Sequence, residues 1–109
     1  MKEQDYQKKI VTYLESKGAY VVKVVAASKK GVPDIIACFC GQFIGIEVKT
    51  PTTRANTSKL QDYNLKLIKQ AEGYSLVAVH PEDLYSTISL IVELDRLNCL
   101  DAPTLMEHK

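Results

Sequence analysis

The chain of 109 residues predicts an α/β fold, a mixed central sheet flanked by helices in the order αβββαβα. Three observations carry that expectation. Apolar residues recur at helical spacing near the start, around residues 60–71 and after Pro81; short runs rich in Val and Ile lie between them; Gly, Pro and polar breaks separate the segments. A chain of this length buries one core, so a single domain over residues 1–109 is expected. No internal repeat or low-complexity segment is visible.

The elements follow in order. Tyr6, Ile10, Tyr13 and Leu14 predict a helix over residues 3–17, with Gly18 as its stop. The Val-rich stretch Tyr20–Ala27 reads as a strand. Ile35–Phe39 and Phe43–Ile46, leading into Glu47, read as two buried strands joined by a hairpin turn at Cys40-Gly41-Gln42. Thr50–Thr57 is a polar loop, after which Leu60, Asn64, Leu67, Ile68 and Ala71 mark a helix closed by Gly73. Ser75–His80 gives a fourth strand. Leu84, Ile88, Ile91, Val92 and Leu97 then predict a final helix, although β-branched residues are poorer helix formers; from Asp101 onward the chain reads as a loose end.

Several classes are poorly supported. Without a run of eighteen apolar residues or a basic-then-apolar leader, a membrane span and a secretory signal are not expected, and the protein is placed in the cytoplasm. Cys38, Cys40 and Cys99 are odd in number and lack zinc-site spacing, so they read as core thiols. There is no Ser-His-Asp order, phosphate-cradling Gly loop or dinucleotide fingerprint, hence no nucleotide cofactor. Tyr63 and His80 read as packing or surface residues.

The stretch Gly31-Val32-Pro33-Asp34, then Glu47-Val48-Lys49, points to chemistry. Side chains alternate along a strand, so Glu47 and Lys49 share a face about 6.6 Å apart along it, while Val48 turns into the core. If adjacent strands bring Asp34 to Glu47, the two carboxylates repel unless a cation lies between them, and Mg²⁺ or Mn²⁺ takes oxygen ligands. Lys49 then stands beside the ion as a compact positive charge for phosphate or water. In the alternative, Asp34 is a turn residue and Glu47 with Lys49 a solvated pair on an edge strand. Apolar flanks such as Ile35-Ile36 and Ile44–Ile46 argue instead for central strands.

Charge is uneven along the chain. Residues 1–70 hold twelve Lys or Arg against six Asp or Glu; residues 71–109 hold two against seven. Lys29 and Lys30 precede the Gly-Val-Pro-Asp turn, and Arg54 and Lys59 follow the second acidic strand, so these four are candidates for a phosphate-binding surface.

In their combined order, a helix with an early Glu, a strand, Gly-x-Pro-Asp, a hairpin, Glu-Val-Lys and a helix bearing Gln61, these residues resemble the PD-(D/E)xK nuclease superfamily, and specifically its stand-alone VRR-Nuc branch of bacteria and phages. The resemblance covers Glu3 to His80 and implies a restriction-endonuclease-like core. It implies that Asp34, Glu47 and the Val48 carbonyl bind Mg²⁺ (Mn²⁺ as an alternative), and that Lys49 serves the water or the scissile phosphate. It also implies a Glu in the first helix that reaches the metal through water. Glu3, Gln7, Ile10 and Leu14 share one helical stripe, and either Glu3 or Gln7 can fill that slot; Glu3 otherwise reads as a first-turn acid favoured by the helix dipole. Gln61 has two readings, lining the site or closing a capping box from Ser58. The implied activity is metal-dependent hydrolysis of DNA, with Holliday junction resolvase-like relatives acting as homodimers on branched duplex. A non-cleaving junction-binding module and a flap or general nuclease are the alternatives. Tyr85, Ile88, Ile91 and Val92 are candidates for a dimer interface, with core packing as the other reading.

Overall fold

The computed structural model describes residues 1–101; residues 102–109, most of the stretch read as a loose end, lie outside the described residues. Its elements are α1 (Glu3–Ser16), β1 (Tyr20–Lys23), β2 (Ile35–Phe39), β3 (Gln42–Val48), α2 (Lys59–Gln70), β4 (Tyr74–Ala78), a 3₁₀ turn (Pro81–Leu84) and α3 (Tyr85–Asp101). The four strands form one sheet in sequence order, with β1–β2 and β2–β3 antiparallel and β3–β4 parallel. This is the expected αβββαβα order around a mixed sheet. The parallel pair needs a crossover, which residues 49–58 and α2 supply.

Alternation decides which side chains go where. Ile35, Ala37 and Phe39 of β2 and Ile44, Ile46 and Val48 of β3 point to one face, where they bury against Tyr6, Ile10 and Leu14 of α1 and Leu84, Ile88 and Ile91 of the C-terminal region. The opposite face carries Ile36, Cys38, Phe43, Gly45, Glu47 and Ser75, and α2 packs over its β3–β4 half; Ser75 Oγ donates to the Leu65 carbonyl at 2.7 Å. At Gly45 a side chain would meet Ile68 Cδ1 at 2.6 Å, so α2 lies directly on the strand. The β2–β3 hairpin closes through Cys40 (φ +50°) and Gly41 (φ +77°), a two-residue turn with both residues left-handed.

Three expectations are corrected. The first strand ends at Lys23 rather than Ala27, because β2 begins only at Ile35 and offers no ladder partner beyond the Val24 N–H bond to the Asp34 carbonyl. The three cysteines are exposed, not core thiols: Cys38 falls on the outward step of the β2 alternation, Cys40 in the turn, and Cys99 near the end of α3, where side chains face solvent. Ile88 and Ile91 are core residues at 5% and 1% exposure, which removes them from any dimer surface, while Tyr85 and Val92 remain exposed.

Candidate metal centre

The hairpin register assembles the acidic pair. Ile35 opposes Ile46 in the last β2–β3 pair, so Asp34, one step further, faces Glu47 from the same side of the sheet, with side chains starting about 5 Å apart. Asp34 Oδ2 accepts the Val48 N–H at 2.8 Å. The N–H and C=O of an extended residue leave the same edge of its strand, so the Val48 carbonyl also emerges toward Asp34. Glu47 lies on a central strand at 2% exposure. The solvated edge-pair reading is therefore wrong, and the apolar flanks were the informative signal.

Glu47 is buried among groups that answer its charge only in part. Its carboxyl is pushed up to about 8, by burial first and then by the Asp34 carboxylate, with Lys49 pulling the other way and Glu3 adding to the rise. Lys49 Nζ lies 3.7 Å from Glu47 Oε2 and 3.3 Å from Gln61 Oε1. Gln61 Nε2 donates to Glu47 Oε2 at 3.1 Å. Both readings of Gln61 hold at once. Its Oε1 accepts the Ser58 N–H at 2.9 Å while Ser58 Oγ accepts the Gln61 N–H at 3.1 Å, a closed capping box. The cap fixes the amide so that its nitrogen is left to face Glu47.

Of the two first-helix candidates, only Glu3 acts on the Glu47 carboxyl. Glu3 is half-buried and close enough to raise the Glu47 carboxyl. Gln7, one turn along the same stripe, is 7% exposed, and its buried Oε1 has no hydrogen-bond donor. The two facing carboxylates are hard oxygen donors, as a magnesium-like ion requires. Among the described residues no group of three or more His, Cys, Asp or Glu side chains could hold an ion. The oxygen donors here that could hold such an ion are the Asp34 and Glu47 carboxylates and the Val48 carbonyl.

The basic candidates are arranged unequally. Lys29, Lys30 and Lys59 are exposed. Arg54 instead donates to Asp83 Oδ2 at 2.8 Å, an oxygen that also accepts the Val79 and His80 N–H groups at 2.9 and 3.0 Å. Its guanidinium ties the loop after Lys49 to the 3₁₀ turn. Tyr63 is exposed, and His80 meets the Tyr6 ring edge-on at 5.6 Å. Asn64 lies on the α2 stripe that the sequence predicts and is not among the expected site residues. It is buried, and its Nδ2 donates to the Lys30 carbonyl at 3.1 Å. The signal was there, a polar amide at a core position of an otherwise apolar stripe.

Comparison with known proteins bears on this arrangement. The family described as archaeal Holliday junction resolvase (Hjc) matches residues 1–96. Among solved structures, a chain described as a VRR_NUC domain is similar with a TM-score of 0.63 and 21% sequence identity, covering 80% of this chain and 94% of that chain. At that identity the likeness is one of fold. No curated protein matches the chain.

Proposed function

The chain belongs to the archaeal Holliday junction resolvase family, and from that premise we propose that it is a divalent-metal-dependent DNA endonuclease selective for branched duplex, acting as a cytoplasmic homodimer. One observation carries the reading: Asp34 faces Glu47 at a strand end where Lys49 and Gln61 converge on the same carboxylate. Asp34, Glu47 and the Val48 carbonyl would hold Mg²⁺ or Mn²⁺. The bound ion supplies charge neutralisation at the scissile phosphate and activates water for attack.

The protein's own groups do the rest. Burial of Glu47 keeps its charge costly until a cation arrives, which makes the pair selective for the loaded state. Lys49 presents an ammonium toward the phosphate or the attacking water, the ammonium itself steadied by donating to Gln61 Oε1. Gln61 donates to Glu47 and so leaves that carboxylate's other oxygen for the ion. Lys29, Lys30 and Lys59 hold the flanking phosphates. Residues 1–109 act as one nuclease domain, and a second copy supplies the second site that a four-way junction needs for paired nicks.

Labelled linear duplex, flap and four-way junction, incubated with the purified protein in Mg²⁺, Mn²⁺ or EDTA, test the proposal. Metal-dependent cutting that favours the junction is expected. Binding without cutting in both metals would assign a junction-recognition module instead, and equal cutting of all three substrates a general nuclease.

A further inference from the structure

Asn64 occupies the middle of α2, where asparagine is a poorer helix former than alanine. It is 5% exposed, and its Nδ2 uses both hydrogens: one to the Lys30 carbonyl at 3.1 Å, the other to the Leu60 carbonyl at 2.9 Å. Two carbonyl acceptors fix the amide, since the reversed orientation would set its oxygen against two others. Gly31 follows Lys30 with φ +82°, and a side chain there would fall 2.8 Å from Asn64 Nδ2 and 2.7 Å from Leu60 Cγ. The turn therefore rests on the helix with no space between.

Both halves of the acidic pair are referenced to this one stretch of helix. Lys30 is four residues ahead of Asp34, and the intervening Pro33 is buried, so fixing the Lys30 carbonyl fixes where Asp34 enters β2. Gln61, one turn before Asn64, holds Glu47. Resting on the metal assignment made above, we infer that Asn64 is a positioning residue of the metal centre, docking the Asp34-bearing turn onto the helix that orients Glu47. It acts through the turn and touches no substrate atom.

The test is calorimetric titration of Mn²⁺ into wild type, Asn64→Ala, Asn64→Asp, Gly31→Ala and Leu65→Ala, with a metal-free melting temperature for each. Asn64→Ala and Asn64→Asp are expected to weaken Mn²⁺ binding about tenfold or more, the scale set by groups that orient metal ligands. The aspartate keeps the shape and loses the donors. Gly31→Ala disturbs the same contact from the turn side with α2 intact, so it carries the test if the Asn64 variants do not fold, and the same weakening is expected. Leu65→Ala removes a buried α2 side chain that takes no part in this contact, and is expected to lose stability and keep the wild-type dissociation constant. Wild-type Mn²⁺ affinity in Asn64→Ala and Gly31→Ala, or equal weakening in Leu65→Ala, would overturn the inference while the metal assignment stands. A wild type that binds no Mn²⁺ would remove both.

Discussion

Glu47 is buried beside a second carboxylate, so its charge is unfavourable where it stands. Its carboxyl is raised to about 8 from an ordinary value of 4.5, so between those values the folded metal-free protein holds a proton that the unfolded chain has released. That contribution to stability is fully present below about 4.5 and is lost as pH rises through about 8. The metal-free melting temperature is accordingly expected to fall from pH 5 to pH 9, and Glu47→Gln to flatten that fall, as calorimetric scans across the range will read. Protons compete with the ion at the same carboxylate, so Mn²⁺ affinity should rise over this interval. Asp34→Asn, Glu47→Gln and Lys49→Ala should each reduce cleavage at least ~100-fold, the scale of losing one group that stabilises the transition state. The two carboxylate variants should melt at or above the wild-type temperature without metal. Wild-type cleavage in any two of the three removes the site.

At the scale of elements, α2 ties together parts that a sequence keeps apart. Ser58 caps the helix and thereby orients the Gln61 amide, so Ser58→Ala is expected to cost about 1 kcal/mol in urea unfolding and to lower the cleavage rate as well. Ser58→Asp, which keeps a capping oxygen, should restore both. The order of elements was legible because periodicity and Gly or Pro breaks are local properties: the Cys40-Gly41-Gln42 break marks its hairpin, although Gln42 itself opens β3, and the apolar run from Ile35 marks β2. Asp34, Glu47 and Lys49 were legible as a group because strand alternation and one hairpin register suffice to gather them; Gln61, on α2, enters only through the family resemblance. Tertiary partners hid the rest. Arg54 reads as a free cation until Asp83, far along the chain, claims it, and Cys38 reads as core only until the β2 alternation is followed to it, while Cys40 falls in the turn and Cys99 on the exposed end of α3. Asn64 needed the Lys30 carbonyl before its place on an apolar stripe made sense.

For the whole molecule, the uneven charge becomes an experiment on salt. DNA affinity should fall steeply with ionic strength, and Lys29→Ala and Lys30→Ala should each flatten the log–log slope by about one. Arg54→Ala should change it less, because its guanidinium already spends a bond on Asp83. The proposed two-fold assembly predicts the product: light scattering should give a dimer, and a cruciform plasmid should be linearised by paired cuts rather than released as nicked circles. Tyr85 and Val92, exposed on α3, are the surviving members of the proposed interface. The central claim, that Asp34 and Glu47 hold the ion that drives cleavage, is tested most directly by the initial cutting rate on an end-labelled four-way junction. Three reactions are compared: wild type in Mg²⁺, wild type in EDTA, and Glu47→Gln in Mg²⁺. Cutting in the first alone is the predicted result; cutting that persists undiminished in EDTA or in the variant would contradict it.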